Sequence, residues 1–449
     1  MATGLGLDAE QWEGIMHKRT WGMVVAIVGL LSLLVTAAPA DAGHKTDPHT
    51  SNLRPLGHIE EPASLLNPAV GNPNVHTDIA FQGTFAFQGS WLGFNIRDIS
   101  SPGNPKPVSS TSCQGNQGDV IVFQDILVRS WNSPAGAGLE CDGEPVPQGF
   151  EGLHVFDISD LSDPVLVGAV ETECGSHTAT GVPDVANGRL LVYNSSSSGA
   201  CPGIDIVEVP LDNPGDAALV RVVGAGRSCH DTGVILGDAM LAGCAGGNGF
   251  TVFDLDTGDL ANPQFLFSKN VNDEPEIDGV SIGHSAAFSF DGETLIFGHE
   301  PGGGVQARCQ EGQPEIDRSA MFFDARTGDF QGLWTLPRTQ GPTENCSIHN
   351  YNVVPTTKGD ILVHGSYQSG TSVVDFTDRA NAVELAFSDP PPIEPPDLGG
   401  AWSSYWYNNF IYETNITEGL NVFRFAGSET DGALQLDRLN PQTQTFTLP

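Results

Sequence analysis

A short two-stranded unit recurs along the chain, and this repetition restricts the possible folds more than any other feature of the sequence. Its clearest copy is Gly152–Val170, in which an alternating apolar strand, a polar turn and a second apolar strand follow one another. Gly93–Ser100 and Phe250–Asp256 begin further copies, and weaker ones lie at 321–325, 371–376 and 420–425. A two-stranded unit cannot bury its apolar face alone, so the copies must pack on one another.

Two more predicted strands precede each copy, so the sequence predicts units of four strands. Seven units begin at residues 76, 119, 177, 230, 284, 349 and 402, which is the spacing of a β-propeller with loop insertions. Asn52–Ile59 looks like the last strand of a unit but has no partner before it. We therefore predict an all-β fold, a seven-bladed β-propeller of four-stranded blades over residues 52–425, with the ring closed by this N-terminal outer strand.

The chain ends are interpreted from composition. Lys18 and Arg19 precede a short apolar run, and Ala40–Ala42 offers small residues for cleavage. Residues 1–42 are therefore predicted to be a signal peptide, with Met16 as an alternative start. The apolar run is too short for a membrane span, so we expect a secreted or extracytoplasmic protein with no membrane span after cleavage. We expect residues 43–51 to form a flexible leader and residues 426–449 a C-terminal tail.

The balance of charge restricts the class of partner. The formal net charge is −36, and the chain has only 19 lysines and arginines. Nucleic acids and anionic membranes carry phosphates that such a surface repels, so the sequence argues against both as partners.

The repeat resembles a known family. The strand Leu153–Ile158, the Asp163-Pro164 pair and the valine-rich strand that follows are similar to the repeats of LVIVD-repeat proteins. This resemblance implies an exported β-propeller and implies no particular activity. The pattern departs from the family in blade 7, where Arg424 replaces the aspartate, and in blade 3, which reads Ile204–Val209.

An aspartate ends the third strand of five units. We predict that each carboxylate caps the turn that follows by accepting backbone N–H groups, and the alternative is a ring of metal or substrate ligands. The five residues are Asp98, Asp157, Asp254, Asp324 and Asp375.

Histidines recur at one place in the repeat. They begin the innermost strand of five blades, and Asp119 and Trp402 take this place in the other two. The ends of the second strands reach the same face, and two more histidines lie there, with Asp231, Glu300 and Glu413 nearby. The seven histidines are His76, His177, His230, His284, His299, His349 and His364.

Two interpretations of these histidines stay open. Neutral imidazoles suit copper or zinc, and the axis of a propeller can gather them from several blades into one metal site. In the other interpretation each imidazole closes the first turn of its blade by bonding to the backbone, and the repeat copies it without chemical purpose.

The eight cysteines keep a regular place in the repeat, and an exported protein favours their oxidation. The repeat frame selects one of the 105 pairings that eight cysteines allow. It predicts disulfides on the histidine face, with thiolate metal ligands as the alternative. The predicted pairs are Cys113–Cys141, Cys174–Cys201, Cys229–Cys244 and Cys309–Cys346.

These patterns leave two classes of function. The first is a binding module that holds a protein, a glycan or a small ligand on its histidine-rich, disulfide-bridged face, where we expect Asp119, Asp231, Glu300, Trp402 and Glu413 to contact the ligand. The second is a metal-dependent oxidoreductase of the copper type, with the histidine site at the mouth of the central channel.

Overall fold

Seven blades of four strands each form the body of the molecule. The computed structural model describes residues 43–60, 75–237, 239–394 and 396–448. Seven antiparallel blades of four strands lie in ring order, with the innermost strand of the last blade against that of the first. The prediction of a seven-bladed β-propeller is confirmed. The predicted signal peptide lies outside the described residues.

Each blade is a sheet whose strands run from the central axis to the outside in chain order, except that the outermost strand of blade 7 is the N-terminal β1. Blade 1 consists of β2 (His76–Gln82), β3 (Phe85–Ser90), β4 (Gly93–Asp98) and β5 (Lys106–Ser112). Blade 2 consists of β6 (Gln117–Phe123), β7 (Ile126–Trp131), β10 (Gly152–Asp157) and β11 (Val165–Glu171). Its insertion forms a small hairpin of β8 (Glu140–Cys141) and β9 (Glu144–Pro145). Blade 3 consists of β12 (Thr178–Asp184), β13 (Arg189–Ser195), β14 (Ile204–Pro210) and β15 (Ala218–Val223).

The remaining blades follow the same order. Blade 4 consists of β16 (Asp231–Ile235), β17 (Leu241–Gly246), β18 (Gly249–Asp254) and β19 (Gln264–Asn270). Blade 5 consists of β20 (Gly283–Phe288), β21 (Thr294–His299), β22 (Ser319–Asp324) and β23 (Phe330–Thr335). Blade 6 consists of β24 (Tyr351–Val353), β25 (Ile361–Gly365), β26 (Thr371–Asp375) and β27 (Val383–Ser388). Blade 7 consists of β28 (Ala401–Tyr407), β29 (Phe410–Asn415), β30 (Gly419–Phe425) and β1 (Leu53–Ile59).

Helical structure in the described ranges is short. One α-helix, α1, spans Gly43–Thr46. Six 3-10 turns lie at Val185–Asn187, Pro214–Asp216, Val271–Asp273, Glu315–Arg318, Arg379–Asn381 and Ser428–Thr430. No helix among the described residues has both the length and the apolar character that crossing a membrane requires.

The N-terminal strand joins the last blade. β1 pairs antiparallel with β30, with Leu53 opposite Phe425, and becomes the outermost strand of blade 7. Closure of the ring by this strand stays a prediction, because the innermost strands β28 and β2 also contact one another. Residues 43–51, expected to form a flexible leader, contact blades 6 and 7: the Thr50 N–H donates to the Phe387 carbonyl, and the His44 ring packs on Phe423.

The apolar core lies between neighbouring blades. Each inner strand is covered on both faces, which explains why the strands read as nearly continuous apolar runs. Aromatic rings cross from blade to blade: Phe94 meets Phe156 between blades 1 and 2, with ring centroids 4.9 Å apart. Between blades 1 and 7, Phe81 stacks on Tyr407 at 4.7 Å. The core therefore depends on ring order, since no blade buries its own faces.

The recurrent aspartates cap turns, as predicted. In each of the five, a carboxylate oxygen accepts a backbone N–H from two residues further along the chain, at 2.8–2.9 Å. Asp157, for example, accepts from Ser159, and Asp324 accepts from Arg326. Their carboxylates are used by the backbone on the outer turns, which argues against a ring of ligands there.

Four disulfides connect Cys113 to Cys141, Cys174 to Cys201, Cys229 to Cys244 and Cys309 to Cys346. These are the four pairs that the repeat frame predicts, and the described residues contain no free cysteine. The thiolate alternative is wrong because each of the eight cysteine sulfurs is bonded to another. Four such bridges are typical of proteins that fold in an oxidising compartment.

The C-terminal segment fills the far end of the channel, a placement that the sequence patterns did not predict. Within it, β31 (Arg438–Leu439) pairs with β2, and β32 (Thr443–Gln444) runs parallel to β16. Both contact the later residues of the innermost strands, opposite the end where the histidines lie. The inner edge of each blade presents unpaired backbone groups, and the segment supplies partners for them. We refer to residues 434–446 as the C-terminal plug.

Candidate metal centre

Four imidazoles stack from blade to blade at one end of the channel. His177, His230 and His284 directly precede or begin the innermost strands of blades 3, 4 and 5, and His349 lies just before that of blade 6. Their ring centroids are 4.2 Å apart for His177 and His230, 4.1 Å for His230 and His284, and 4.2 Å for His284 and His349. We refer to these four rings as the imidazole stack. It forms because the innermost strands all start at the same face.

A single carboxylate lies against three of the four rings. Glu300 follows β21 and is buried, with 6% of its surface exposed. Its Oε1 lies 3.5 Å from Nε2 of His349 and 3.9 Å from Nε2 of His284, and its Oε2 lies 3.9 Å from Nε2 of His230. His230, His284 and Glu300 each offer one ligand atom, and these three atoms lie within 4.8 Å of one another. Three nitrogens and a carboxylate thus converge on one small space.

The other predicted histidines lie elsewhere. His76 begins β2 on blade 1, outside the blades that carry the stack. Nε2 of His299 accepts the Ser281 N–H at 3.5 Å. The His364 ring packs on Trp334 with ring centroids 5.1 Å apart, and its Nδ1 contacts Ser366 Oγ at 3.0 Å. Glu300 follows His299 directly, and its carboxylate is the group that lies against the stack.

The remaining predicted ligand residues are divided between two layers. Trp402 packs against His349 with ring centroids 5.0 Å apart, so it belongs to the mouth of the channel. Asp119 and Asp231 are buried side chains of the innermost strands β6 and β16. Glu413 lies within the blades, where it accepts the Thr371 hydroxyl at 2.6 Å and the amide of Asn421 at 3.0 Å.

Neighbouring groups hold two of the rings. Nδ1 of His349 lies 2.5 Å from the Trp402 carbonyl of blade 7, and Nδ1 of His284 contacts Ser285 Oγ. Because a carbonyl can only accept, His349 donates through Nδ1, which leaves the lone pair on Nε2 directed at Glu300. His349 thus bonds to the backbone of the neighbouring blade, not to the first turn of its own, and still offers a free ligand atom. Nδ1 of His177 and of His230 has no hydrogen-bond partner among the described residues.

The imidazoles are uncharged near neutral pH. Burial lowers the pKa of His177 to about 4 and that of His349 to about 3. The pKa values of His230 and His284 are also well below the ordinary range, because of burial and then of the neighbouring imidazoles. Burial raises the pKa of Glu300 to about 7, against a hydrogen bond that lowers it. Neutral imidazoles and one carboxylate form a donor set that suits a transition-metal dication.

Tyr367 completes the site, although the sequence patterns did not single it out. Its hydroxyl donates to Oε1 of Glu300 at 2.6 Å, and its ring lies 4.4 Å from that of His349. Its backbone has φ 51°, a left-handed conformation that costs energy for an aromatic residue. The available signal was its position, since Tyr367 follows the second strand of blade 6 much as Glu300 follows that of blade 5.

A glycine leaves room for this contact. A Cβ atom on Gly304 would lie 2.3 Å from the Tyr367 hydroxyl and 2.5 Å from Oε1 of Glu300. The site therefore requires a residue without a side chain at this position.

Comparisons with known proteins agree with the fold. The LVIVD repeat family model matches residues 149–172, the clearest copy of the repeated unit. The chain carries an LVIVD repeat. A search of the curated proteins gives no match.

One solved β-propeller resembles this chain in fold alone. The β-propeller domain of Cps50 (Swd1) from Myceliophteria thermophila aligns with a TM-score of 0.50 at 11% identity, over 79% of this chain and 97% of that one. The computationally designed Ika8 protein gives a TM-score of 0.45 at 11% identity, over 79% and 97% of the two chains. A chain of the Mitotic Checkpoint Complex gives 0.47 at 10% identity, over 91% and 99%. At such identities, the function must be argued from the site.

Proposed function

We propose that this protein is a metal-dependent binding module, in which one transition-metal ion, copper or zinc, is held at the mouth of the channel by His230, His284, His349 and Glu300. The observation that carries the proposal is the convergence of three Nε2 atoms on one carboxylate, at 3.5–3.9 Å. A bound protein, glycan or small ligand would then meet the ion from the disulfide-bridged face.

The spacing of the donors supports this assignment. With bonds of about 2.0–2.1 Å in tetrahedral geometry, two ligand atoms on one zinc ion lie roughly 3.3 Å apart. The three nitrogen-to-oxygen separations of 3.5–3.9 Å exceed this by about 0.2–0.6 Å. The ligand atoms of His230, His284 and Glu300 lie within 4.8 Å of one another, and the proposal requires the His349 ring to move toward them when the ion binds. A dication would also neutralise the Glu300 carboxylate, for which the described residues include no lysine or arginine ion-pair partner.

The exposure of the residues around the proposed site would let a ligand reach the ion from the mouth of the channel. His230 is 8% exposed, and His177 and Trp402 are half-buried at the mouth of the channel. Two of the four disulfides, Cys229–Cys244 and Cys309–Cys346, fix chain segments next to His230 and His349. A site of this kind would be held in shape before the ligand arrives, which lowers the entropy lost on binding.

The test is the metal content of protein purified without an affinity tag. We expect up to one equivalent of copper or zinc, and saturation at one equivalent on titration. A His230→Ala, His284→Ala double variant should lose the metal. The control His49→Ala removes an exposed histidine beside Ser388, at the end of the outermost strand of blade 6, and should retain it. Less than about 0.1 equivalent of any transition metal, with no binding on titration, would leave the proposal without support.

A copper-dependent oxidoreductase is the second candidate, favoured by Tyr367. This phenol is hydrogen-bonded to the carboxylate and packs on His349, so a side chain capable of one-electron oxidation would adjoin the ion. The candidate predicts that the copper-loaded protein consumes oxygen in the presence of a mild reductant, and that Tyr367→Phe changes the rate without changing copper content. Equal rates for loaded and metal-free protein would exclude it.

A further inference from the structure

A hydrogen-bonded path leads from one ring of the imidazole stack into the interior of the channel. Nδ1 of His284 contacts Ser285 Oγ, while Nε2 of the same ring is a ligand atom of the proposed ion. The Ser285 hydroxyl lies 3.2 Å from the His349 carbonyl and 3.5 Å from Oδ1 of Asn350. Asn350 donates through Nδ2 to Oδ2 of Asp78 at 3.4 Å. Groups from blade 5, from the start of blade 6 and from blade 1 thus connect the mouth of the channel to a buried carboxylate.

The partners of Ser285 determine which nitrogen of His284 carries the proton. The His349 carbonyl and Oδ1 of Asn350 can only accept, so the Ser285 hydroxyl donates to one of them. The serine oxygen is then left to accept, and His284 must donate to it through Nδ1. A neutral imidazole with its proton on Nδ1 has its lone pair on Nε2. Ser285 therefore holds His284 in the tautomer that can bind an ion beside Glu300.

Asp78 sets the orientation of the Asn350 amide. Its Oδ2 accepts the Tyr405 hydroxyl and its Oδ1 accepts the Ile79 N–H, both at 2.9 Å. Burial raises the pKa of Asp78, and these hydrogen bonds oppose that rise because they stabilise the ionised form. An accepting carboxylate here requires the amide nitrogen of Asn350 on its side, which directs the amide oxygen toward Ser285.

The same carboxylate oxygen holds the C-terminal plug. Gln442 donates its side-chain amide to Oδ2 of Asp78 at 2.6 Å, and its backbone carbonyl accepts the Val234 N–H of blade 4 at 2.8 Å. Asp78 is 3% exposed and Gln442 is 8% exposed, so water competes little for the bond between them. Asp78 is therefore shared by the plug and by the path to His284.

We propose that Ser285 is a positioning residue of the metal site, and that Asp78 couples the binding of the ion to the seating of the C-terminal plug. This inference rests on the copper or zinc site proposed above. Release of the plug would take one donor from Asp78 and free the carboxylate to turn away from Asn350. By thermodynamic linkage, if the seated plug favours binding of the ion, the bound ion favours the seated plug by the same factor.

Competition with a chelator measures the role of Ser285 in binding copper or zinc. Ser285→Ala should weaken binding about 10- to 100-fold, as the loss of an outer partner of a ligating histidine usually does. Ser285→Thr should restore most of the affinity because it returns the hydroxyl. The matched control is Ser289→Ala, which removes a buried serine that follows the same strand and bonds to Asp291; it should bind the ion normally.

The tautomer of His284 gives a readout that a merely structural role would not change. Nitrogen-15 chemical shifts of histidine-labelled, metal-free protein should show the proton on Nδ1 in the wild type. Ser285→Ala should show a mixture of the two tautomers. If this variant does not fold, the wild-type spectrum alone still decides, since a proton on Nε2 would overturn the role of Ser285.

Gln442→Met tests the coupling, because it removes the bond between the plug and Asp78 and leaves the metal ligands unchanged. It should weaken binding at least about fivefold, a coupling of ordinary size. The control Gln444→Met, whose amide donates to the Phe288 carbonyl instead, should bind as the wild type does. In the wild type, saturation with the ion should slow hydrogen exchange of the Val234 N–H, which bonds to the plug.

The outcomes separate this inference from the proposed function. A wild type that binds neither copper nor zinc would overturn the metal site and the inference together. A wild type that binds the ion, with Ser285→Ala binding it equally well, would overturn only the role of Ser285. Equal affinities of Gln442→Met and Gln444→Met, with no effect of the ion on exchange at Val234, would overturn only the coupling.

Discussion

Asn440 connects the C-terminal plug to blade 2, and its removal should destabilise the whole propeller. Its side chain imitates a neighbouring strand: Oδ1 accepts the Val122 N–H at 2.8 Å, and Nδ2 donates to the Val122 carbonyl at 2.9 Å. Asn440→Ala would leave both buried backbone groups unpaired, at about 1–3 kcal/mol each. Allowing for a water molecule that replaces one of the two bonds, we expect a loss of about 1–3 kcal/mol in unfolding free energy.

Urea unfolding followed by tryptophan fluorescence and by circular dichroism measures this loss. The control is Asn213→Ala, an exposed asparagine on a surface turn whose removal should cost less than about 0.5 kcal/mol. If the unfolding free energy of Asn440→Ala is within about 0.5 kcal/mol of the wild-type value, the plug does not supply the hydrogen-bond partners that the inner strands need.

Two further predictions concern a glycine and a buried histidine. Gly304→Ala should weaken copper or zinc binding at least tenfold in competition with a chelator, because its Cβ would meet Glu300. The control Gly303→Ala has the same kind of positive φ but open space around its Cβ, so it should bind the metal normally. Equal affinities of the two variants would refute this role of Gly304. Burial and then the charge of Arg129 lower the pKa of His154 to about 3. As the pH falls below 6.5 the unfolded chain gains a proton that the folded protein excludes, so stability is lost. His154→Phe should reduce this loss by about 1.4 kcal/mol per pH unit between pH 6.5 and 5, as measured by urea unfolding, and parallel pH dependences would contradict it.

The sequence contains most of what determines the propeller. Strand, turn and cysteine positions recur with the repeat, so the blades and the disulfide pairs follow from local patterns. The gathering of His177, His230, His284 and His349 also follows, because residues that begin the innermost strands share one face.

The structural features that the sequence did not predict depend on contacts between distant residues, which a local sequence pattern does not show. Whether His299 or Glu300 turns toward the stack depends on the backbone path where β21 ends. The plug is held by two strands of two residues each, which are too short to show a periodic pattern in the sequence. It is also held by side-chain amides such as that of Asn440, which do not belong to the repeat. Tyr367 lies in a loop with an unusual backbone conformation, so the strand repeat did not indicate its role.

Anomalous diffraction from crystals of tag-free protein loaded with copper or zinc tests the central claim most directly. The account predicts one strong peak at the mouth of the channel, about 2.0–2.2 Å from Nε2 of His230, His284 and His349 and from an oxygen of Glu300. A loaded crystal without a peak among these four side chains, or with its peaks on exposed residues such as His49, would contradict it.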